Sequence, residues 1–103
     1  MFEKDLSLSL LYDLYGPLLS EKKREAFEGY YLSDLSLSEI AAETGTSRQA
    51  VRDLIARTSS ELMQCEEKLG LLAKRKKLNS FCDELEKSFG DLGETGEKIR
   101  EIL

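Results

Sequence analysis

The stretch LSLSEIAAETGTSRQAVRDLIART, Leu35 to Thr58, constrains this chain more than any other. It opens on Ser36-Leu37-Ser38-Glu39, the pattern of a capping box. The serine hydroxyl accepts from the backbone N–H three residues on, and the glutamate reaches back to the serine's own N–H. Leu35 before the cap and Ile40 at the fourth helical position have the spacing of a hydrophobic staple. Gly45 follows where a short helix needs a left-handed residue to stop and turn. Ser47 then caps a second helix, whose inward stripe reads Ala50, Val51, Leu54 and Ile55. From Ala41 to Gly45 to Val51 the spacing is four and then six. That places a small residue where two helices cross, glycine in the turn and a hydrophobe in the shared core, as a helix-turn-helix requires.

The flanking segments read as helix too. Residues 4–15 predict a first helix with Leu6, Leu10 and Leu14 on one stripe and Leu11 and Tyr15 beside it, stopped by Gly16-Pro17. Ser20 caps a second helix over 21–31, with Glu21 at its positive end and Ala26, Phe27, Tyr30 and Tyr31 turned inward. Beyond Thr58 two apolar stripes follow, Leu62, Cys65, Leu69, Leu72 and then Leu78, Phe81, Cys82, Leu85, Phe89. They fall out of step around Lys74 to Lys77, which predicts two helices or one helix bent near Gly70. Both stripes exceed what a small helical head needs, so they point to dimerisation or to folding back over the head. GDLGETG, residues 90–96, reads as a flexible acidic linker, and EKIREIL after it as a short terminal helix. The organisation expected is therefore all-α: a helix-turn-helix domain over 1–60, a helical extension and dimerisation element over 61–89, and a linker with a short helix over 90–103.

The chemistry that this composition excludes is broad. The 103 residues hold no histidine and two cysteines, Cys65 and Cys82, both at apolar helical positions. Buried thiols acting as small hydrophobes are expected, and neither a metal site nor any other cofactor. There is no glycine-rich phosphate loop and no strand-turn-helix to hold a nucleophile, so an enzyme is not expected. Acidic pairs such as Glu66-Glu67 read as solvated helix surface. With no signal segment and no apolar run long enough to span a bilayer, a cytoplasmic location without membrane insertion is expected.

Charge complicates the binding role. The net charge is -5, yet Thr44–Ser60 carries three arginines against Asp53, a local net of +2. In a nucleic-acid reader the second helix of such a motif enters the major groove with its first turns against base edges. Ser47, Arg48, Gln49 and Arg52 form that exposed set, with Arg57 further back toward phosphate. Arginine pairs bidentately with guanine and glutamine with adenine. Two basic runs add to them. Lys22-Lys23-Arg24 opens the second helix beside the motif, and Lys74-Arg75-Lys76-Lys77 offers a denser cluster for structured RNA or an acidic protein surface. A positive strip joining Arg48, Arg52 and Arg57 favours nucleic acid. The same strip cancelled by Glu39, Glu43 and Asp53 favours protein.

Leu19 to Thr58 as a whole resembles the promoter-reading fourth region of bacterial sigma factors. A second resemblance, to the YlxM family of small bacterial helix-turn-helix proteins, is closer. It rests on Asp13-Leu14-Tyr15-Gly16, on YYLSDLSLSEIA from Tyr30 to Ala41, on SRQAV from Ser47 to Val51 and on EEKL from Glu66 to Leu69, and covers roughly residues 8–72. Thr46 and the continuation Arg52-Asp53-Leu54 depart from that family's pattern. The resemblance implies an all-helical homodimer that acts in, or regulates, the signal recognition particle pathway. Its implied partners are the particle's RNA, its protein or its receptor. Three functions follow as expectations: an accessory or regulatory protein of that pathway that binds RNA, a DNA-binding transcriptional regulator, and a protein-interaction module.

Overall fold

A computed structural model describes residues 6–103, and within them Leu6 as backbone only. Six α-helices and one 3-10 turn make up the described chain, with no strand among the described residues. They are α1 (Leu6–Tyr15), α2 (Glu21–Tyr31), α3 (Leu37–Thr44), α4 (Arg48–Leu69), α5 (Leu71–Phe89) and α6 (Gly93–Ile102). The turn Gly16–Leu18, with Pro17 inside it, separates α1 from α2. The expected start of the first helix at Lys4 and Asp5 lies outside the described residues.

The chain forms two compact units, the first ending at Leu69 and the second running from Gly70 to Leu103. In the first, α1, α2 and α3 all pack on α4. Ala26, Tyr30, Ile40, Ala41, Val51 and Ile55 form one buried cluster, with Leu35, Leu37 and Leu54 packed against it. Phe27 is fully buried and stacks on Tyr12 at 4.7 Å and on Tyr31 at 4.4 Å between ring centroids. These contacts join α1 and α2 through one aromatic ladder. Polar ties reinforce the packing. The Tyr15 hydroxyl donates to Glu66 at 2.7 Å, and Lys23 pairs with Glu61 at 2.7 Å. Tyr12 donates to Glu28. Burial first, and then this bond to a carboxylate, push the Tyr12 phenol above its ordinary pKa.

The capping and turn signals of the motif are realised. Ser36 and Glu39 make both bonds of the capping box, at 3.0 and 3.1 Å. Ser20 and Ser47 cap α2 and α4 through their hydroxyls. Gly45 sits at φ 69° and ψ 28°, the left-handed geometry that releases the chain from α3. A methyl group built there would meet nothing within 4 Å, so only the backbone conformation demands glycine. Gly45→Ala is expected to cost about 1 kcal/mol through the strained φ alone. A urea titration would show this as a lowered midpoint at unchanged slope, and an unchanged midpoint would refute it.

Several expectations are corrected. The inward face of α1 is Leu8, Leu11, Tyr12 and Tyr15, whereas Leu10 is exposed and Leu14 only half-buried. The helix turns its aromatic side to Phe27, and that choice depends on α2. Ala50, read as inward, is exposed, because Val51 and Ile55 already occupy the contact with α2 and α3. Glu66 is not simple solvated surface, since it accepts the Tyr15 hydroxyl.

In the second unit, Gly70 at φ 64° ends α4 and begins α5, so the long segment is two helices. Residues 93–96, read as linker, instead form the first turn of α6. Its start is held by Asp91, whose carboxylate accepts the Gly93 N–H at 2.8 Å. Arg100 then clamps α6 to α5. Its guanidinium lies 2.9 Å from Asp83 and 3.3 Å from Glu86, and bonds Asn79 at 3.3 Å. Cys82 is buried and Cys65 half-buried, and both are free thiols. The second apolar stripe is not a core. Leu78, Phe81, Leu85 and Phe89 are all exposed, Phe89 to 80%.

Candidate nucleic-acid interface

The Gly45 turn leads from α3 into the start of α4. Ser47, Arg48, Gln49 and Arg52 are all exposed. The Ser47 hydroxyl oxygen is engaged as the helix cap, accepting from Ala50 at 3.1 Å. The first unpaired N–H groups of a helix form its positive end, which suits a phosphate contact. Gln49 donates its amide to Asp53 one turn on, at 3.0 Å. Reading a base edge with Gln49 therefore means exchanging that bond for one to the base.

The three arginines do not share one strip. α4 is continuous from Arg48 to Leu69. At 3.6 residues per turn, Arg52 lies about 40° around the axis from Arg48, and Arg57 about 180° from it. Arg48 and Arg52 therefore occupy one flank of the helix. Arg57 lies on the other, with Ala50 and Leu54.

That second flank borders a groove of about 540 Å³ between α2, α3 and α4. Ala26, Ile40, Val51 and Leu54 contribute its apolar lining. Glu25, Glu43, Asp53, Lys22 and Arg57 supply its charges. Of the basic run on α2, Lys22 lines this groove, Lys23 is committed to Glu61, and Arg24 lies by Tyr12 and Glu28. The groove was not legible in the sequence. Its one local trace is Asp53, four residues after Gln49, whose side chain sits between the two flanks.

The family UPF0122, described as "helix-turn-helix protein, YlxM / p13 like", matches residues 2–102. The chain belongs to this family. It is 44% identical to a UPF0122 protein of Halalkalibacterium halodurans, covering 100% of this chain and 94% of that one. A UPF0122 protein of Listeria innocua is 41% identical over the same shares of the two chains. One from Symbiobacterium thermophilum is 44% identical over 79% of this chain and 76% of its own. The family match spans both units of the structure, beyond the residues 8–72 on which the resemblance rests.

In this UPF0122 protein the second basic run lies on α5. Lys74, Lys76 and Lys77 are exposed, and Arg75 is half-buried with its Nε shielded and unpaired among the described residues. Consecutive helical positions turn by about 100°, so the four cations encircle α5 instead of forming one face. No helix among the described residues is long and apolar enough to cross a membrane.

Proposed function

We propose that this UPF0122 protein is a non-enzymatic accessory or regulatory protein of the signal recognition particle pathway, acting in the cytoplasm, and that it binds RNA through its helix-turn-helix. The carrying observation is the exposed first turns of α4, where Arg48, Gln49 and Arg52 project from an intact, capped motif. The resemblance to the YlxM family supplies the pathway. Lys74, Lys76 and Lys77 offer further phosphate contacts on α5. A homodimer doubles each of these contributions, which matters for a chain of net charge -5. Leu71, Leu78 and Leu85 are exposed at intervals of seven, with Phe81 on the same side of α5, and this seam is where a second copy would pack. The particle's protein and its receptor are the other partners that this role implies.

The same exposed turns support a second reading, a DNA-binding transcriptional regulator. One titration separates the two. Affinity for signal recognition particle RNA is measured at several salt concentrations with mixed duplex DNA as competitor. The RNA reading expects saturable binding whose affinity falls with salt and which the DNA does not displace. Displacement by duplex DNA transfers the motif to transcription. Absence of binding to either refutes the nucleic-acid role.

A further inference from the structure

The apolar face of α5 lies open, and it carries charge in a definite order. Leu71, Leu78 and Leu85 are exposed to 42%, 47% and 45%, and Phe81 to 49%. A helical seam has two alternating positions, three and four residues apart. Leu71, Leu78 and Leu85 fill the first, and Lys74, Phe81 and Ser88 the second. Helix α6 occupies a different side of α5. Its Arg100 holds Asn79, Asp83 and Glu86, and a Cβ placed on its Gly96 would lie 3.3 Å from Glu86. Those three residues are turned roughly 100° or more around the axis from Phe81 and Leu85.

Charge is sorted along the helix. Lys74, Arg75, Lys76 and Lys77 lie in the first half, while Asp83, Glu84 and Glu86 stand against Lys87 alone in the second. Lys77 and Glu84 are two turns apart on one shoulder of the seam, beside Phe81. Lys74, Lys77 and Glu84 are exposed, and no hydrogen bond or ion pair holds any of them among the described residues. Two copies can meet on this seam in two directions. Parallel pairing sets each seam residue against itself. Lys74 then faces the second copy's Lys74 among leucines, and neither Lys77 nor Glu84 meets an opposite charge, because their shoulder faces the second copy's Cys82 and Phe89. Antiparallel pairing sets Leu71 against the second copy's Ser88, Lys74 against its Leu85 and Leu78 against its Phe81. The Lys74 stem then lies along a leucine while its ammonium reaches water. Like shoulders also meet, so Lys77 comes beside the second copy's Glu84, and the two-fold symmetry makes that contact twice.

From this arrangement we infer that a second copy of this chain covers the open face of α5, with the two α5 helices antiparallel and Lys77 of each copy paired with Glu84 of the other. The inference rests on the homodimer of the reading above and not on its RNA, and it adds the direction in which the copies meet. The apolar residues supply the contact, and the charges select its orientation and reject the alternative. The two Leu71 residues are then about 26 Å apart along the axis, so the two chains enter the paired helices from opposite ends.

Sedimentation equilibrium of the full chain, with no RNA present, tests this. The wild-type chain is expected to be a dimer at micromolar concentration and Leu78→Asp a monomer. Lys77→Glu and Glu84→Lys are each expected to weaken the dimer by about tenfold or more, because each sets like charges together at both symmetric contacts. Mixed in equal amounts, these two variants are expected to recover the wild-type affinity within about twofold, since every such contact in the mixed dimer joins opposite charges. Far-ultraviolet circular dichroism is expected to show the same helix content in all four chains. A monomeric wild-type chain would overturn the proposal and leave the face to another protein. A dimer that survives Leu78→Asp would place the interface elsewhere. Single variants that dimerise like the wild type, or a mixture no tighter than its components, would exclude the antiparallel pairing. Failure of the RNA reading would leave every one of these outcomes unchanged.

Discussion

Reversing Arg48 and Arg52 together to glutamate is expected to lower the affinity for signal recognition particle RNA by about 100-fold at fixed salt, equivalent to roughly 2.7 kcal/mol. Both side chains are exposed on one flank of α4, about 40° apart around its axis. On the RNA reading they would approach the same strand of backbone or the same pair of base edges. If both cations neutralise phosphates, as that reading requires, their removal also lowers the number of counterions released. The slope of log affinity against log salt is therefore expected to flatten by about 1.4, on the single-strand value of roughly 0.7 per phosphate. Arg57→Glu serves as the internal comparison. It changes the net charge by the same amount per residue but sits on the opposite flank, so its effect is expected to be several-fold smaller. Equal losses at Arg57 and at Arg48 would show that only bulk charge matters. An unchanged affinity in the double variant, with an unchanged melting temperature, would remove this face from the binding site.

Phe27→Ala is expected to carry the largest stability cost, about 3–5 kcal/mol. The ring is fully buried and stacks on Tyr12 from α1 and on Tyr31 one turn along α2. Truncation removes its transfer free energy and leaves a cavity lined by two aromatic faces, neither of which moves without disturbing a second contact. Tyr12 is held by Glu28, and Tyr30 is wedged against Tyr31 at 5.2 Å between centroids. Domains of this size commonly have only about 5–15 kcal/mol of total stability, so a large part of the folded population is at risk. Equilibrium urea unfolding by circular dichroism checks this. A loss below about 1 kcal/mol would mean that α1 closes onto α2 without the ring, and that the ladder does not hold them together.

How much of this was legible in the sequence depends on the range of the interaction. The capping box at Ser36–Glu39, the left-handed Gly45 and the caps at Ser20 and Ser47 are contacts between residues at most four apart. Their geometry follows from local sterics and hydrogen bonding, so the motif could be placed with its boundaries. Gly70 is an intermediate case. Its residue type announced a break, but a bend and a full stop use the same residue, and only the observed φ of 64° distinguishes them. The linker reading of residues 93–96 failed because two glycines and an acidic composition outweighed, in sequence, a helix whose start is held by Asp91 and whose body is held by Arg100.

The sequence by itself determined the helix-turn-helix, its turn residue, its capped ends and the set of cations at the start of α4, because each rests on neighbours along the chain. Tertiary structure alone decided which side of α1 is buried, and that Glu66, Glu61 and Glu28 are ties to Tyr15, Lys23 and Tyr12. It also decided that Arg57 shares a groove with Glu25 and Glu43. Helical periodicity gives the angle of a side chain around its own axis. It does not give the rotation of one helix against another, and that rotation determines whether a charge meets an opposite charge, an apolar wall or water.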